Sequence, residues 1–287
     1  MKKSTHNDHR ERINEVLYHI FKHLSQKLSI EDLAKVSSYS PFHFQRIFKE
    51  VTNKSVLSYI KESRLSWAAN LLIFNPQSTI TDIAYSCGFK SSATFSNEFK
   101  KYYNCTPNNW RKGQFKEYEP KDYELREKDV DFSKIEIKKL DEINIAYIRH
   151  QGYTKTIKNM WQKLIYVLEE DYDIKEPTMM AFYHSNPNIT AIEDYRYIAC
   201  VQMKDKKILP KGDMGICSIE GGLYATIRYQ GICEDALTLY KKIYHQWLPS
   251  SDFEALSSSA HVLYHQNNYL NDEDKFDIEF RVPVRYK

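Results

Sequence analysis

The feature that most constrains the fold is a pair of short helix-turn-helix patterns in the first 112 residues, joined by a longer helical stretch. Ser29 and Ser40 each precede a run with apolar residues at helical spacing, and Thr79 begins an equivalent pair of runs that turns at Gly88. Serine and threonine are favoured helix N-caps, and glycine readily takes the left-handed conformation that ends a helix. The pattern predicts an all-α domain with two helix-turn-helix units over residues 1–112.

The joining stretch, Val56–Phe74, sets the distance between the two units. About 19 residues at ~1.5 Å each make a helix of roughly 29 Å, which approaches the ~34 Å between successive major grooves on one face of B-DNA. Residues 1–112 also hold 17 Lys and Arg against 9 Asp and Glu, whereas the remainder holds 24 against 29. A basic N-terminal segment beside an acidic remainder favours a polyanionic partner for the first segment alone.

The chain changes character after a charged, proline-interrupted segment at 113–132, which is predicted to be a linker. Residues 145–152 align with residues 224–231 at an offset of 79, with the sequences IAYIRHQG and YATIRYQG. Each copy is predicted to form a strand, a glycine-ended turn, a helix and two further strands. Two such units predict an α+β domain of two β-α-β-β repeats over residues 133–287, with a cleft where the halves meet.

Other classes of protein are disfavoured by the sequence. No apolar run approaches the ~20 residues that cross a bilayer, and the N-terminus lacks the apolar stretch of a secretory signal. The five cysteines form no C-x-x-C pair, and the ten histidines show no metal-binding spacing. We therefore expect a cytoplasmic protein with reduced thiols, no membrane partner, no metal site, no cofactor and no catalytic residues.

Residue type and spacing agree with a known signature in both helix-turn-helix units. The matching residues are Leu33-Ala34, Ser40, His43-Phe44, Arg46 and Phe48-Lys49 in the first unit, and Ile80, Ile83-Ala84, Gly88-Phe89, Ser92, Phe95, Phe99-Lys100-Lys101, Pro107 and Trp110-Arg111 in the second. With them the first 112 residues resemble the DNA-binding domain of the AraC family, in particular its MarA, SoxS and Rob branch. The resemblance implies double-stranded DNA as a partner and RNA polymerase as a further one.

The first reading helix carries the residues expected to recognise bases. Its predicted outward positions are Phe42, Gln45, Arg46 and Lys49. The resemblance implies base contacts by the first three, since arginine can bind guanine and glutamine adenine through two hydrogen bonds, and an aromatic ring can pack against a thymine methyl. The alternative, in which this helix face contacts phosphates alone, stays open at this point.

The second reading helix differs from the branch that it resembles, because its predicted outward side chains are short. They are Ser92, Ala93, Ser96 and Asn97. Of these, Asn97 alone can form the paired hydrogen bonds that identify adenine. We therefore expect the first helix to supply most of the sequence discrimination, and the second to position the domain with phosphate contacts from Lys100, Lys101 and Arg111.

The C-terminal part has a second resemblance, carried by two equivalent strand ends and by the last strand. The residues concerned are Arg149, Gln151, Gly152, Arg228, Gln230, Gly231 and the segment 277–284. They resemble the GyrI-like effector-binding domain, which is also the C-terminal half of Rob and the drug-binding domain of BmrR. The resemblance implies a ligand cleft that contains Glu279, with Tyr147, Trp161 and Tyr240 as aromatic candidates, and a small cationic or aromatic effector.

Three hypotheses about function stay open on the sequence. The first is a sequence-specific DNA-binding transcription regulator, modulated by a small effector in the C-terminal domain and not an enzyme. The second is a small-molecule hydrolase, in which Glu279 would act as general base on a water molecule; no second catalytic group accompanies it in the sequence. The third is a protein-interaction module, fused to a DNA-binding domain, that binds no ligand.

Overall fold

The structure is a computed structural model and describes residues 2–118, 129–152, 156–183, 196–203, 208–256, 260–271 and 275–287. The chain divides into two units, Met1–Gln114 with Leu209–Gly215, and Phe115–Ile208 with Ile216–Lys287. Most of the segment predicted as a linker, at 119–128, lies outside the described residues.

The N-terminal part is helical, and its helices begin where the sequence places capping residues. Their bounds are α1 (Lys2–Lys22), α2 (Ile30–Val36), α3 (Pro41–Thr52), α4 (Val56–Phe74), α5 (Ile80–Ser86), α6 (Ser92–Tyr103) and α7 (Pro107–Arg111). The backbone N–H of Asp32 donates to the Ser29 hydroxyl oxygen at 3.1 Å, and Thr79 and Asp82 form a reciprocal capping box. The all-α prediction, the pairs α2–α3 and α5–α6, and the bounds of α4 are confirmed.

Helix α4 is anchored to the elements on both sides of it. The Arg64 guanidinium donates to the carbonyl oxygens of Leu24 (2.9 Å) and Gln26 (2.6 Å) in the turn after α1. From the other side, Trp110 Nε1 in α7 donates to the Ala69 carbonyl oxygen at 3.1 Å. Breaking such a bond leaves a polar group without a partner in the protein interior, so α4 holds the two helix-turn-helix units at a fixed spacing.

Gly88 packs the turn between α5 and α6 against the turn after α1. Its φ is +79°, in the left-handed region, as the sequence predicted. The structure adds a second requirement, because a β-carbon at this position would lie 2.8 Å from the Leu24 carbonyl oxygen and 3.0 Å from the Arg64 guanidinium. Glycine alone satisfies both the backbone angle and the close approach.

The C-terminal part is built on an antiparallel sheet. Its elements are β1 (Glu136–Leu140), β2 (Ile143–Gln151), α8 (Thr156–Tyr172), β3 (Met179–Tyr183), β4 (Arg196–Gln202), β5 (Met214–Ile219), β6 (Gly222–Ile232), α9 (Cys233–Lys242), α10 (Leu248–Ser250), β7 (Phe253–Ala255), β8 (His261–Gln266) and β9 (Lys275–Tyr286). The described strands are ordered β1-β6-β9-β8-β3-β4-β2-β5, with β7 pairing to the end of β9. The predicted α+β class is confirmed.

The strand order also confirms the internal repeat. One copy is β2-α8-β3-β4 and the other is β6-α9-β8-β9, and the sheet has equivalent strands on either side of the β8–β3 pair. The second copy departs from the prediction in two ways. β6 continues through Gly231, which pairs with Phe276, instead of ending there in a turn. A π-helical turn (Ile243–Trp247), α10 and β7 are inserted between α9 and β8.

Candidate nucleic-acid interface and ligand face

Helix α3 presents a polar face and buries an apolar one. Phe44, Ile47 and Phe48 are buried in the core of the first helix-turn-helix unit. The predicted reading residues lie on the other side and are all exposed: Phe42, Gln45, Arg46 and Lys49. Phe42 is 82% exposed, an unusual state for a large apolar ring in a folded chain. Gln45 donates to the Pro41 carbonyl oxygen one turn earlier, which holds its amide over the start of the helix.

Helix α6 repeats this arrangement with shorter side chains. Phe95, Phe99 and Tyr103 are buried. Of the residues predicted to face DNA, Ala93, Asn97, Lys100 and Lys101 are exposed, and Ser92 and Ser96 are half-buried. A salt bridge between Glu98 of α6 and Lys61 of α4, at 2.8 Å, fixes the helix against the spacer. The structure therefore brings these predicted residues together on one surface.

Arg111 makes a contact within the N-terminal part that the sequence did not predict. Its Nη2 donates to the Ser78 carbonyl oxygen at 2.7 Å, just before α5, and its side chain is half-buried. Burial lowers the pKa of the Arg111 guanidinium. The side chain thus ties α7 to the start of the second helix-turn-helix unit.

The sheet of the C-terminal part has two chemically distinct faces. Trp161 of α8 contacts Tyr197 and Tyr264, and Tyr240 of α9 packs edge-on against Phe280. These strand residues define the helix face. Because side chains alternate along a strand and cross-strand partners share a face, the registers place Tyr147, Phe182, His261, Arg281 and Thr226 on the opposite side. We call this side the far face.

The predicted ligand residues are divided between the two faces. Glu279 and Tyr147 lie on the far face, as the alternation within the last strand predicted. Trp161 and Tyr240 lie on the helix face, where both are buried in the core. The Trp161 indole donates to the Tyr197 hydroxyl at 3.0 Å, and this hydroxyl lies 3.1 Å from that of Tyr264. The structure therefore does not bring Trp161 and Tyr240 together with Glu279.

Both oxygens of the Glu279 carboxylate are occupied by cations of the chain. Arg281 Nε donates to Oε1 at 2.6 Å, and Lys138 Nζ lies 3.3 Å from Oε2 and 2.9 Å from the Glu136 carboxylate. Partial burial raises the pKa of Glu279, but the hydrogen bonds and charges of Arg281 and Lys138 outweigh this and lower it overall. The carboxylate is therefore ionised and already paired.

A second charged group lies beside the first on the same face. Arg228 donates to both oxygens of Asp277 through Nε (3.0 Å) and Nη2 (2.7 Å), and Gln230 donates to the same carboxylate at 2.8 Å. The hydrogen bond from Arg228 leads the effects that lower the pKa of Asp277. Two of the resemblance residues, Arg228 and Gln230, thus hold a carboxylate of the last strand in place.

His261 was not anticipated from the sequence. It is 1% exposed, and neither ring nitrogen has a hydrogen-bond partner among the described residues. The rings of Phe182 and Tyr224 lie 5.4 Å from its own, and Arg281 is its direct neighbour across the strand pair. Burial, followed by the charge of Arg281, lowers the pKa of His261 to about 3. It is therefore neutral, with one ring N–H donor and one ring acceptor unused.

The far face also carries an apolar cluster. A cluster made of strand side chains spans β2, β3, β4, β5 and β8, and includes Tyr147, Met180, Phe182, Ile198, Cys200 and Leu263. Tyr147 also carries the Arg149 guanidinium over its ring at 4.5 Å. The middle of the far face is therefore apolar on the first repeat and charged on the second, at Glu279 and Arg281.

No helix in the described part of the chain combines the length and the apolar character needed to cross a membrane. Within the same residues, no group of three or more His, Cys, Asp and Glu side chains lies close enough to hold a metal ion.

Two domain families match the chain. Residues 133–285 match the family described as a GyrI-like small molecule binding domain, and residues 33–113 match a helix-turn-helix domain of the AraC type. These ranges contain the far face and both reading helices, respectively.

Curated relatives match the N-terminal part. The chain is 43% identical over 89 residues to the uncharacterized HTH-type transcriptional regulator YbfP of Bacillus subtilis (strain 168), covering 31% of this chain and 30% of that protein. Regulatory protein SoxS of Escherichia coli (strain K12) is 35% identical over 103 residues, covering 36% and 95%. Transcriptional regulator Rob of Salmonella typhimurium is 38% identical over 100 residues, covering 35% and 34%. The chain thus belongs to the GyrI-like small molecule binding domain family and carries an AraC-type helix-turn-helix domain in front of it.

Proposed function

We propose that the chain is a DNA-binding transcription regulator whose GyrI-like domain binds a small effector that modulates it. The observation that carries the proposal is the pair of exposed polar faces on α3 and α6, held at a fixed spacing by α4. A roughly 29 Å spacer can place both helices in successive major grooves of one duplex. The relatives YbfP, SoxS and Rob, each described as a regulator, support this assignment.

The residues proposed to read bases are those of α3. Arg46 and Lys49 form no hydrogen bond or ion pair with the described residues, so both are available to DNA. Arg46 and Gln45 have the donor geometry for guanine and adenine, and Phe42 suits a thymine methyl. On α6, Asn97 is the candidate for a base, and Lys100 and Lys101 are the candidates for phosphates.

The test is selection of bound sequences from random duplex DNA by the full-length chain. We expect one site with two sequence elements about one helical turn apart, of which the element under α3 is the more strictly defined. Asn97→Ala should leave the preference at both elements largely intact, because α6 mainly positions the domain. Lys175→Ala, which removes an exposed charge from the C-terminal part, serves as the control. Equal and weak binding of every duplex at physiological salt would refute the proposal.

The hydrolase alternative finds little support at Glu279. A general base works best when its pKa lies near the working pH, whereas Arg281 and Lys138 hold the pKa of Glu279 below its ordinary value. Each of its oxygens also already accepts from a cation of the chain, which makes the carboxylate a weaker base. The interaction-module alternative is separated from effector binding by whether any small molecule raises the melting temperature of the full chain. Contact with RNA polymerase stays a prediction from the AraC resemblance.

A further inference from the structure

The far face is asymmetric although the fold that builds it is a repeat. If the copies are aligned by their equivalent residues Arg149 and Arg228, the registers place Ile198 where the second copy has Glu279. By the same registers, Cys200 corresponds to Arg281, and Met180 corresponds to His261. Glu279, Arg281 and His261 of the second copy therefore have apolar counterparts in the first. A ligand that lies across the repeat axis meets an apolar wall at one end and a polar wall at the other.

The polar wall has N–H donors without acceptors, whereas the carboxylate at its centre already accepts from two cations. Both Glu279 oxygens accept from cations, as described above. In contrast, Arg281 spends only Nε on Glu279, and its Nη atoms have no acceptor among the described residues although the side chain is only 12% exposed. The ring N–H of His261, the neighbouring residue on β8, is also without an acceptor. A buried donor without a partner is costly, so the His261 ring N–H favours a group that accepts hydrogen bonds, and the Nη atoms of Arg281 can donate to the same group.

On the basis of the proposed function, we propose that the far face binds an amphipathic acid: a compound with an apolar ring body and a single carboxylate. The body lies on Phe182, Met180 and Ile198, and the carboxylate accepts from the Nη atoms of Arg281 and from the His261 ring. Charge-assisted bonds to arginine are stronger than bonds to a neutral carbonyl, which favours the acid over its amide. A cation would have to displace Arg281 or Lys138 from Glu279 before it could be paired.

Three probes on one scaffold test this: 2-naphthylacetate, 2-naphthylacetamide and 2-(2-naphthyl)ethylammonium. Titration calorimetry on the full-length chain at pH 7 measures each affinity. We expect the acid to bind at least tenfold more tightly than the amide or the amine. Arg281→Gln should lower the affinity for the acid at least tenfold and raise that for the amine, because Glu279 loses its main partner. Arg285→Gln, a loss of the same charge further along β9 at an exposed position, should change neither affinity more than about twofold.

His261 provides a second, independent readout. His261→Leu removes two buried nitrogens that have no partner among the residues that the structure describes, so it should raise the melting temperature of the chain while lowering the affinity for 2-naphthylacetate. His261→Gln, which keeps a donor, should retain part of that affinity. A histidine with a purely structural role would give the opposite pattern, a lower melting temperature with the acid affinity unchanged in both variants.

The outcomes of the probe titrations test the acid-binding inference separately from the regulator proposal. Tighter binding of the amine than of the acid by the unchanged chain would overturn the inference and leave effector binding in place. Failure of all three probes to bind at millimolar concentration would also overturn it. The result of the DNA selection does not depend on these probes, so it tests the regulator proposal independently.

Discussion

Replacing Gly88 by alanine tests whether the turn between α5 and α6 is fixed by backbone angle alone or also by close packing. The left-handed φ of +79° costs an alanine about 1–2 kcal/mol. A β-carbon 2.8 Å from the Leu24 carbonyl oxygen forces a backbone shift, and overpacking of this kind costs about 1–3 kcal/mol. The two effects together should destabilise the N-terminal unit by about 2–5 kcal/mol. Gly113→Ala is the matched control, because Gly113 has a φ of +109° and nothing within 4 Å of an added β-carbon.

Hydrogen exchange of the full-length chain measures both variants without isolating a fragment. The slowly exchanging amides of α5 and α6, such as those of Ile83 and Phe95, report the free energy of opening. Since a factor of ten corresponds to about 1.4 kcal/mol, Gly113→Ala should speed their exchange by at most about 30-fold, and Gly88→Ala by roughly 30-fold or more. Equal effects of the two substitutions would show that contact with Leu24 and Arg64 contributes nothing, and would refute the packing argument.

Acidification from pH 6 to pH 3 should weaken the C-terminal domain, because the folded-state pKa of Glu279 lies below its ordinary value of 4.5: its contribution is present above that value and is lost as the pH falls through the lowered one. The free energy of unfolding, measured in urea at each pH, should depend less steeply on pH in Glu279→Gln. An unchanged pH dependence would contradict the ion pairing. Arg46→Ala should weaken binding to the selected DNA site by about 1–3 kcal/mol and relax preference at one base pair. Lys100→Ala should weaken binding to all duplexes alike and reduce the salt slope by about 1; fluorescence anisotropy over a salt series distinguishes the two, and a base-specific loss in Lys100→Ala would argue against its phosphate role. Tyr264→Phe, which deletes the hydroxyl beside Tyr197 on the helix face, should lower the free energy of unfolding in urea by about 1 kcal/mol and leave DNA affinity unchanged.

The local features of the fold could be predicted because they depend on neighbouring residues. Ser29 and Thr79 cap helices through atoms three positions away, and the apolar spacing of Val56–Phe74 gives the length of α4 directly. The alternation in the last strand separated Glu279 from Phe280 without knowledge of any partner strand. Each of these signals is complete within a short window of sequence.

The contacts that were missed join residues far apart in the chain. Arg64 reaches Leu24, and Arg111 reaches the Ser78 carbonyl oxygen; a basic residue in either place looks from sequence like a phosphate contact. No sequence motif surrounds His261. Its ring is recognised as buried only when the fold brings Tyr224 and Arg281 beside it. Such partners depend on tertiary packing, which a local pattern does not encode.

Trp161 belongs to two patterns in the sequence that favour different positions for its ring. The repeat aligns it with Tyr240, which favours a place in the ligand cleft. Trp161 also lies on the apolar stripe of α8, with Ile157, Leu164 and Leu168 at helical spacing and all buried. A ring on such a stripe belongs to the core between helix and sheet. The apolar spacing along the helix therefore predicts the position of this ring better than the alignment of the repeats does.

The difference between the exposed side chains of α3 and α6 has a consequence for promoter architecture. A symmetric dimer reads a palindrome, which is identical when turned end to end. If α3 and α6 read bases as proposed, one chain with long side chains on the first helix and short ones on the second recognises a site whose two ends differ. Inverting such an operator, without changing its distance from the transcription start, would reverse the orientation of the bound chain relative to the direction of transcription.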